Sequence, residues 1–144
     1  MTVADGVTRC LKKGKGDEQA LAARCLSLLC IQLGLDAGEE FVEFQPSLLT
    51  IMTDNSAALK ARSECATALS ICNFIASSDI EVVNSAMNAL ENVFKCSYRK
   101  GDKSIPSHSP EVCKFHSSAL AGWSLLLSIA PAYLVTKLII SDVN

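Results

Sequence analysis

The sequence predicts an all-helical fold, and three observations carry that prediction. Apolar residues recur at helical spacing in one segment after another, and no segment alternates with period two for long enough to make a strand. Turn chemistry at Gly14-Lys15-Gly16, Gly34 and Asp54-Asn55-Ser56 separates those stripes at intervals of a helix length. Ala20-Leu21-Ala22-Ala23-Arg24 recurs as Ala58-Leu59-Lys60-Ala61-Arg62, about 40 residues on, with an echo at Ala119-Leu120-Ala121. Helix pairs repeating at that distance predict a right-handed α-solenoid of HEAT or armadillo-like pairs, about seven helices in all. The 144 residues suit one domain, so residues 1–144 read as a single solenoid unit with 97–109 as an exposed loop insertion.

Each element follows from local chemistry. Val3, Val7, Cys10 and Leu11 share one face of a first helix, which the Gly14-Lys15-Gly16 turn stops. Asp17 is the expected cap of the second helix, where a carboxylate suits the N-terminal dipole. That helix carries two apolar rows: Leu21, Cys25, Leu28, Leu29 and Gln32, and beside them Ala22, Leu26, Cys30 and Leu33. Apolar cover on most of its circumference predicts an inner helix with neighbours on several sides, ended at Gly34. Phe41, Phe44, Leu48, Leu49 and Met52 predict a third helix, entered or kinked at Pro46.

The fourth helix has the cleanest stripe: Ala61, Cys65, Ala68, Leu69, Cys72, Ile75 and Ala76. Ser78-Asp79-Ile80-Glu81 reads as a capping box opening a fifth helix, with Ile80, Val83, Met87, Leu90 and Phe94 inward. Residues 97–109 break the pattern. Ser109-Pro110-Glu111 restarts a helix, serine as cap and proline at its first position, with Cys113, His116, Leu120, Trp123 and Leu127 on one face. Pro131 begins a last helix bearing Leu134, Val135, Leu138, Ile139 and Ile140. Residues 117–136 are free of charge, but their serines and Pro131 favour two buried helices over a membrane span.

Composition narrows the function. Thirteen Lys+Arg against fifteen Asp+Glu give a net charge of −2, which excludes a globally basic nucleic-acid coat. Hydrophobic residues at 49% and charged ones at 19% supply a core and exclude a disordered tail. The seven cysteines are odd in number, lie in apolar segments and form no C-x-x-C pair, so they read as reduced thiols inside the cell. No signal peptide layout opens the chain.

Reactive chemistry is sparse. Lys12, Lys13 and Lys15 flank a glycine turn that resembles a phosphate cradle, but no Gly-Lys-Ser/Thr follows, and Asp17-Glu18 repel phosphate there. A solvated helix end accounts for the same lysines. If an RNA is a partner, Lys12, Lys13 and Lys15 are the first candidate contacts, and Arg99, Lys100 and Lys103 the second. Cys96, His108, Cys113 and His116 are zinc-ligand types whose spacing matches no finger pattern, so no metal is assigned. No acid orients a Cys–His pair and no G-x-S-x-G run is present, so no catalytic residue, cofactor or small-molecule substrate is assigned.

The run Arg9-Cys10-Leu11-Lys12-Lys13-Gly14-Lys15-Gly16-Asp17-Glu18-Gln19 resembles the interferon-related developmental regulator family, and helix physics does not demand that order. The likeness continues through Leu28-Leu29-Cys30-Ile31-Gln32-Leu33-Gly34, Cys72-x-Phe74-Ile75-Ala76, Leu90-Glu91-Asn92-Val93-Phe94 and Ala121-Gly122-Trp123-Ser124-Leu125. The resemblance implies an armadillo-like solenoid, of which this chain is an internal part of the N-terminal domain. It implies a non-enzymatic regulator of cytoplasm and nucleus, a transcriptional co-regulator whose partners are co-repressor or deacetylase complexes. The alternative it admits is a translational regulator bound to the ribosome and ribosomal RNA. Uncovered ends are a corollary: Val3, Val7 and Leu11 at one, Leu134 to Ile140 at the other, with the isolated piece associating or melting early.

Overall fold

The computed structural model describes residues 3–76, 79–96 and 109–129. Six α-helices run in order: α1 Val3–Lys13, α2 Gly16–Leu33, α3 Gly38–Thr53, α4 Leu59–Ala76, α5 Ile80–Cys96 and α6 Pro110–Leu127. A 3₁₀ turn, Gly34–Ala37, joins α2 to α3, and no strand occurs among the described residues. The expected helix from Pro131 and the loop basic residues fall outside the described residues. Among the described residues no helix is long and apolar enough to cross a membrane.

The helices lie in two layers. α2, α4 and α6 sit side by side with α4 in the middle, and α1, α3 and α5 follow one another behind them. Each chain-consecutive pair, α1–α2, α3–α4 and α5–α6, also packs together. The repeated segments 20–24, 58–62 and 119–121 all fall in the α2–α4–α6 layer.

α4 is the central helix because its residues are small on nearly every side. Of the predicted stripe, Ala61, Cys65, Ala68, Leu69 and Cys72 are fully buried and Ile75 is half-buried, and Ala66 is fully buried beside them. Small side chains bring neighbouring backbones close, which dispersion rewards. The tightest approach is to α6: a Cβ on Gly122 would overlap Ser70 Oγ and lie 2.7 Å from Ser70 Cβ. That contact turns Phe115, Ala119, Gly122 and Leu126 into the buried face of α6. The predicted face was a different one. Cys113 and Leu120 point to solvent, and His116, Trp123 and Leu127 are half-buried.

α2 departs from expectation in the same way. Its buried residues are Ala20, Ala22, Ala23, Leu26, Ser27 and Cys30, so the second row packs up to Cys30, Leu33 at its end stays exposed, and the first row does not pack. Leu21 and Leu28 remain 62% and 60% exposed, and Cys25 is exposed as well. Among the described residues α2 is an edge helix, with α1 and α4 as neighbours and its opposite face bare. At the other layer's edge, Val7 and Leu11 are buried, so the uncovered first helix expected from sequence is not seen.

Boundary chemistry is mostly as read, with three differences. α2 starts at Gly16, one residue before the expected cap; Asp17 lies in its first turn and Lys15 occupies the cap position in extended backbone. Of the two places read for Pro46, at the entry of α3 or within it, the structure has it within. It withholds one N–H, a cost the burial of Phe41, Phe44, Leu48 and Met52 outweighs. Ile80 is exposed, and Asp79, not a serine, caps α5 by accepting the Glu81 N–H at 2.9 Å; Ser78 lies outside the described residues. Ser109 does precede Pro110 at the α6 start, but its hydroxyl donates to Glu111 Oε2 at 2.7 Å instead of capping. Gly34 ends α2 as expected, at φ +62°, a conformation that side chains with a Cβ rarely adopt.

Polar groups tie the layers. Asn73 Nδ2 on α4 donates to Gln45 Oε1 on α3 at 2.9 Å and to the Leu69 carbonyl at 2.7 Å. Gln45 Nε2 passes on to the Val82 carbonyl of α5 at 2.9 Å. Asn73 is fully buried and Gln45 nearly so.

Candidate interaction surface

The lysine turn is built by two glycines. Gly14 closes α1 by donating its N–H to the Cys10 carbonyl at 3.0 Å, and a Cβ there would come within 2.9 Å of Glu18 Cβ. Gln19 Nε2 donates to the Leu11 carbonyl at 3.1 Å, satisfying another acceptor at the α1 end. A Cβ on Gly16 would come within 2.7 Å of Ala58 Cβ, so this turn abuts the entry to α4. Lys60 Nζ then meets Asp17 Oδ1 at 3.3 Å, an exposed ion pair worth little by itself.

The structure therefore brings Lys12, Lys13 and Lys15 together, exposed, at one corner with Lys60. Arg99, Lys100 and Lys103 lie outside the described residues. Carboxylates interrupt the corner. Lys12 borders an open groove of about 520 Å³ lined also by Leu11, Pro46 and Ile51 and by the carboxylates Glu43 and Asp54. Asp54 Oδ1 accepts the Ser56 N–H at 2.9 Å and its hydroxyl at 2.6 Å, and these bonds hold the carboxyl below its ordinary pKa. A polyanion approaching Lys12 meets fixed negative charge across the groove.

The α2 face was missed as a surface by sequence reasoning. Leu21, Leu28 and Ile31, with Leu29 and Cys25, are exposed on the side of α2 away from Ala23, Ser27 and Cys30, and Leu33 is exposed at the helix end. The available signal was the apolar cover on both sides of one helix, which fits an edge helix with a docking face as well as an inner one.

Titratable groups elsewhere serve packing. Arg62 lies 4.5 Å above the Phe115 ring and donates from Nε to the Met52 carbonyl at 2.9 Å, joining α3, α4 and α6. Burial, and then the Arg62 charge, hold the neighbouring His116 imidazole below its ordinary pKa. Phe94 and Trp123 meet edge-to-face at 5.6 Å between α5 and α6. Among the described residues no three His, Cys, Asp or Glu side chains converge in a way that would hold a metal. His108 of the zinc-type set lies outside the described residues.

Two layers of stacked helices, a mixed-charge corner and a bare apolar helix face define an all-α domain whose distinctive chemistry is on its surface. The chain belongs to the interferon-related developmental regulator family, whose pattern matches residues 1–143. It is 44% identical over 140 residues to Interferon-related developmental regulator 1 of Homo sapiens, covering 95% of this chain and 31% of that protein. The Sus scrofa protein of the same name is 43% identical over the same span. Interferon-related developmental regulator 2 of Mus musculus is 40% identical over 133 residues, 91% of this chain and 30% of that one. The chain thus spans about a third of the length of the curated relatives it matches.

Proposed function

We propose that the chain is the non-enzymatic interaction module of a transcriptional co-regulator, a right-handed armadillo-like solenoid that docks protein partners of the co-repressor or deacetylase kind in cytoplasm and nucleus. The observation that carries this reading is the α2 face, where Leu21 and Leu28 stand 62% and 60% exposed beside Cys25 and Ile31. Contiguous apolar surface of that kind is characteristic of protein–protein sites. The relatives' printed name, a regulator, agrees with it. The side-by-side order α2–α4–α6 over α1–α3–α5 supports the solenoid, since stacked pairs give two such layers. The carboxylates around Lys12 argue against ribosomal RNA as the main partner.

The test uses the protein that contains this chain, wild type and Leu21→Ser/Leu28→Ser. Affinity capture from nuclear extract is read by deacetylase activity, and sucrose-gradient sedimentation is run beside it. The proposal expects deacetylase activity with the wild type, lost in the variant at unchanged melting temperature. Co-migration with whole ribosomes that high salt abolishes, and no deacetylase activity, would replace it with the ribosomal reading.

A further inference from the structure

Cys30 on α2 and Cys72 on α4 meet at the seam between the two helices: Cys72 Sγ donates to the Leu26 carbonyl, one turn before Cys30 on α2, at 3.8 Å. Both thiols are free and buried there. The seam is the most extensive helix contact among the described residues, so both thiols are held in place from several sides. The geometry points to Cys30 and Cys72 as a redox modification site, at which a peroxide-class oxidant closes the two thiols to a disulfide that ties α2 to α4.

The order of events follows from position. Cys30 lies one turn before α2 ends at Leu33, and helix ends fray more readily than helix middles. Fraying there admits a molecule as small as hydrogen peroxide to Cys30 first. The Cys30 thiolate attacks one peroxide oxygen, the O–O bond breaks, and the departing hydroxide leaves as water with the thiol's proton. The Cys72 thiolate then attacks the sulfenic sulfur; the S–S bond forms, the S–O bond breaks, and the hydroxyl leaves as a second water with the Cys72 proton. Two thiols and one hydrogen peroxide give one disulfide and two waters. Burial raises both thiols above the ordinary cysteine pKa, so closure is slow at neutral pH and quickens as pH rises. The consequence falls on α2: the edge helix that bears the exposed leucines becomes covalently fixed to the central helix.

The experiment treats the full chain with hydrogen peroxide, as wild type and as Cys25→Ser/Cys113→Ser, which lacks the two thiols exposed among the described residues. Remaining thiols are blocked with N-ethylmaleimide in denaturant, and the protein is digested without reduction and mapped by mass spectrometry. The expected result in both proteins is a cross-linked peptide pair joining Cys30 to Cys72, two hydrogens lighter than the free peptides. The melting temperature should rise by about 5–15 °C, given the stabilisation typical of a disulfide, and dithiothreitol should reverse both changes. Cys72→Ala, treated alike, should show neither. Recovery of Cys30 and Cys72 as separate blocked or singly oxidised peptides would overturn the assignment. So would a cross-linked pair that lowers the melting temperature, because the disulfide would then distort the seam rather than tie it.

Discussion

Replacing Gly122 by alanine tests the packing logic of the whole central layer. The added Cβ would overlap Ser70 Oγ and stand 2.7 Å from Ser70 Cβ, about 1 Å inside ordinary carbon–carbon contact. Ser70 cannot simply turn away. Its Cβ is fixed to the α4 backbone, it is 2% exposed, and its hydroxyl is engaged with the Ala66 carbonyl at 2.8 Å. Alanine gains about 1 kcal/mol over glycine in a helix interior. Forcing a methyl group into a closed contact costs about 2–3 kcal/mol, near the upper end for overpacking, because α4 and α6 must part. The net loss is about 1–2 kcal/mol, or a melting temperature lower by about 3–8 °C. Urea and thermal denaturation followed by circular dichroism measure it. The companion is Ser70→Gly, which vacates the space. In the double variant the Gly122→Ala substitution should become neutral or stabilising, a coupling of about 2–3 kcal/mol. A Gly122→Ala protein as stable as the wild type, with no coupling to position 70, would refute the close α4–α6 approach.

Three further outcomes are expected. Leu69→Ala, at a fully buried site, should cost about 2–5 kcal/mol in urea denaturation, whereas Leu28→Ala on the exposed face should stay within about 0.5 kcal/mol. His116 has a folded pKa below its unfolded value, so the unfolded chain binds more protons as pH falls through about 6.5. Stability should therefore decline on acidification through that region in wild type and less so in His116→Gln, as thermal melts between pH 5 and 8 would show. Ser56→Ala removes the hydroxyl bond to Asp54 and keeps the backbone one, so the carboxyl should titrate nearer the ordinary carboxylate value by NMR. The contribution Asp54 makes at neutral pH, lost as pH falls through its lowered pKa, should shrink accordingly in that variant.

What the sequence disclosed and what it hid divide along a physical line. Helix existence was legible because apolar period and turn chemistry are local: Asp54-Asn55-Ser56 forms its turn, Gly34 takes its positive φ, and the α4 stripe is buried as read. Which side of α2 and α6 faces inward was not legible, because both helices are apolar over more than one side. Only the partner decides. On α6 the small pair Ala119 and Gly122 won over the larger Leu120 and Trp123, since close backbone approach to Ser70 outweighs side-chain size. The lysine corner could be read as a cluster, but not the carboxylates facing it, because Glu43 and Asp54 arrive from α3 and the turn after it. The Cys30–Cys72 contact joins residues far apart in sequence and left no local mark.

The amide chain from Asn73 through Gln45 to the Val82 carbonyl has a mechanical consequence. Apolar contacts between helices are slippery, since one leucine slides past another with little change in buried area. Directional bonds are not. Moving α4 one turn along α3, about 5.4 Å, would part Asn73 Nδ2 from Gln45 Oε1. Each buried group left without a partner costs about 1–3 kcal/mol. The middle of the domain thus resists shear between its layers as a single block of α3, α4 and α5. At the other edge the described amide bond across the layers is Gln19 Nε2 to the Leu11 carbonyl at the end of α1, which is only partly buried, so a force dragging one layer over the other would displace that edge first and reach the centre last.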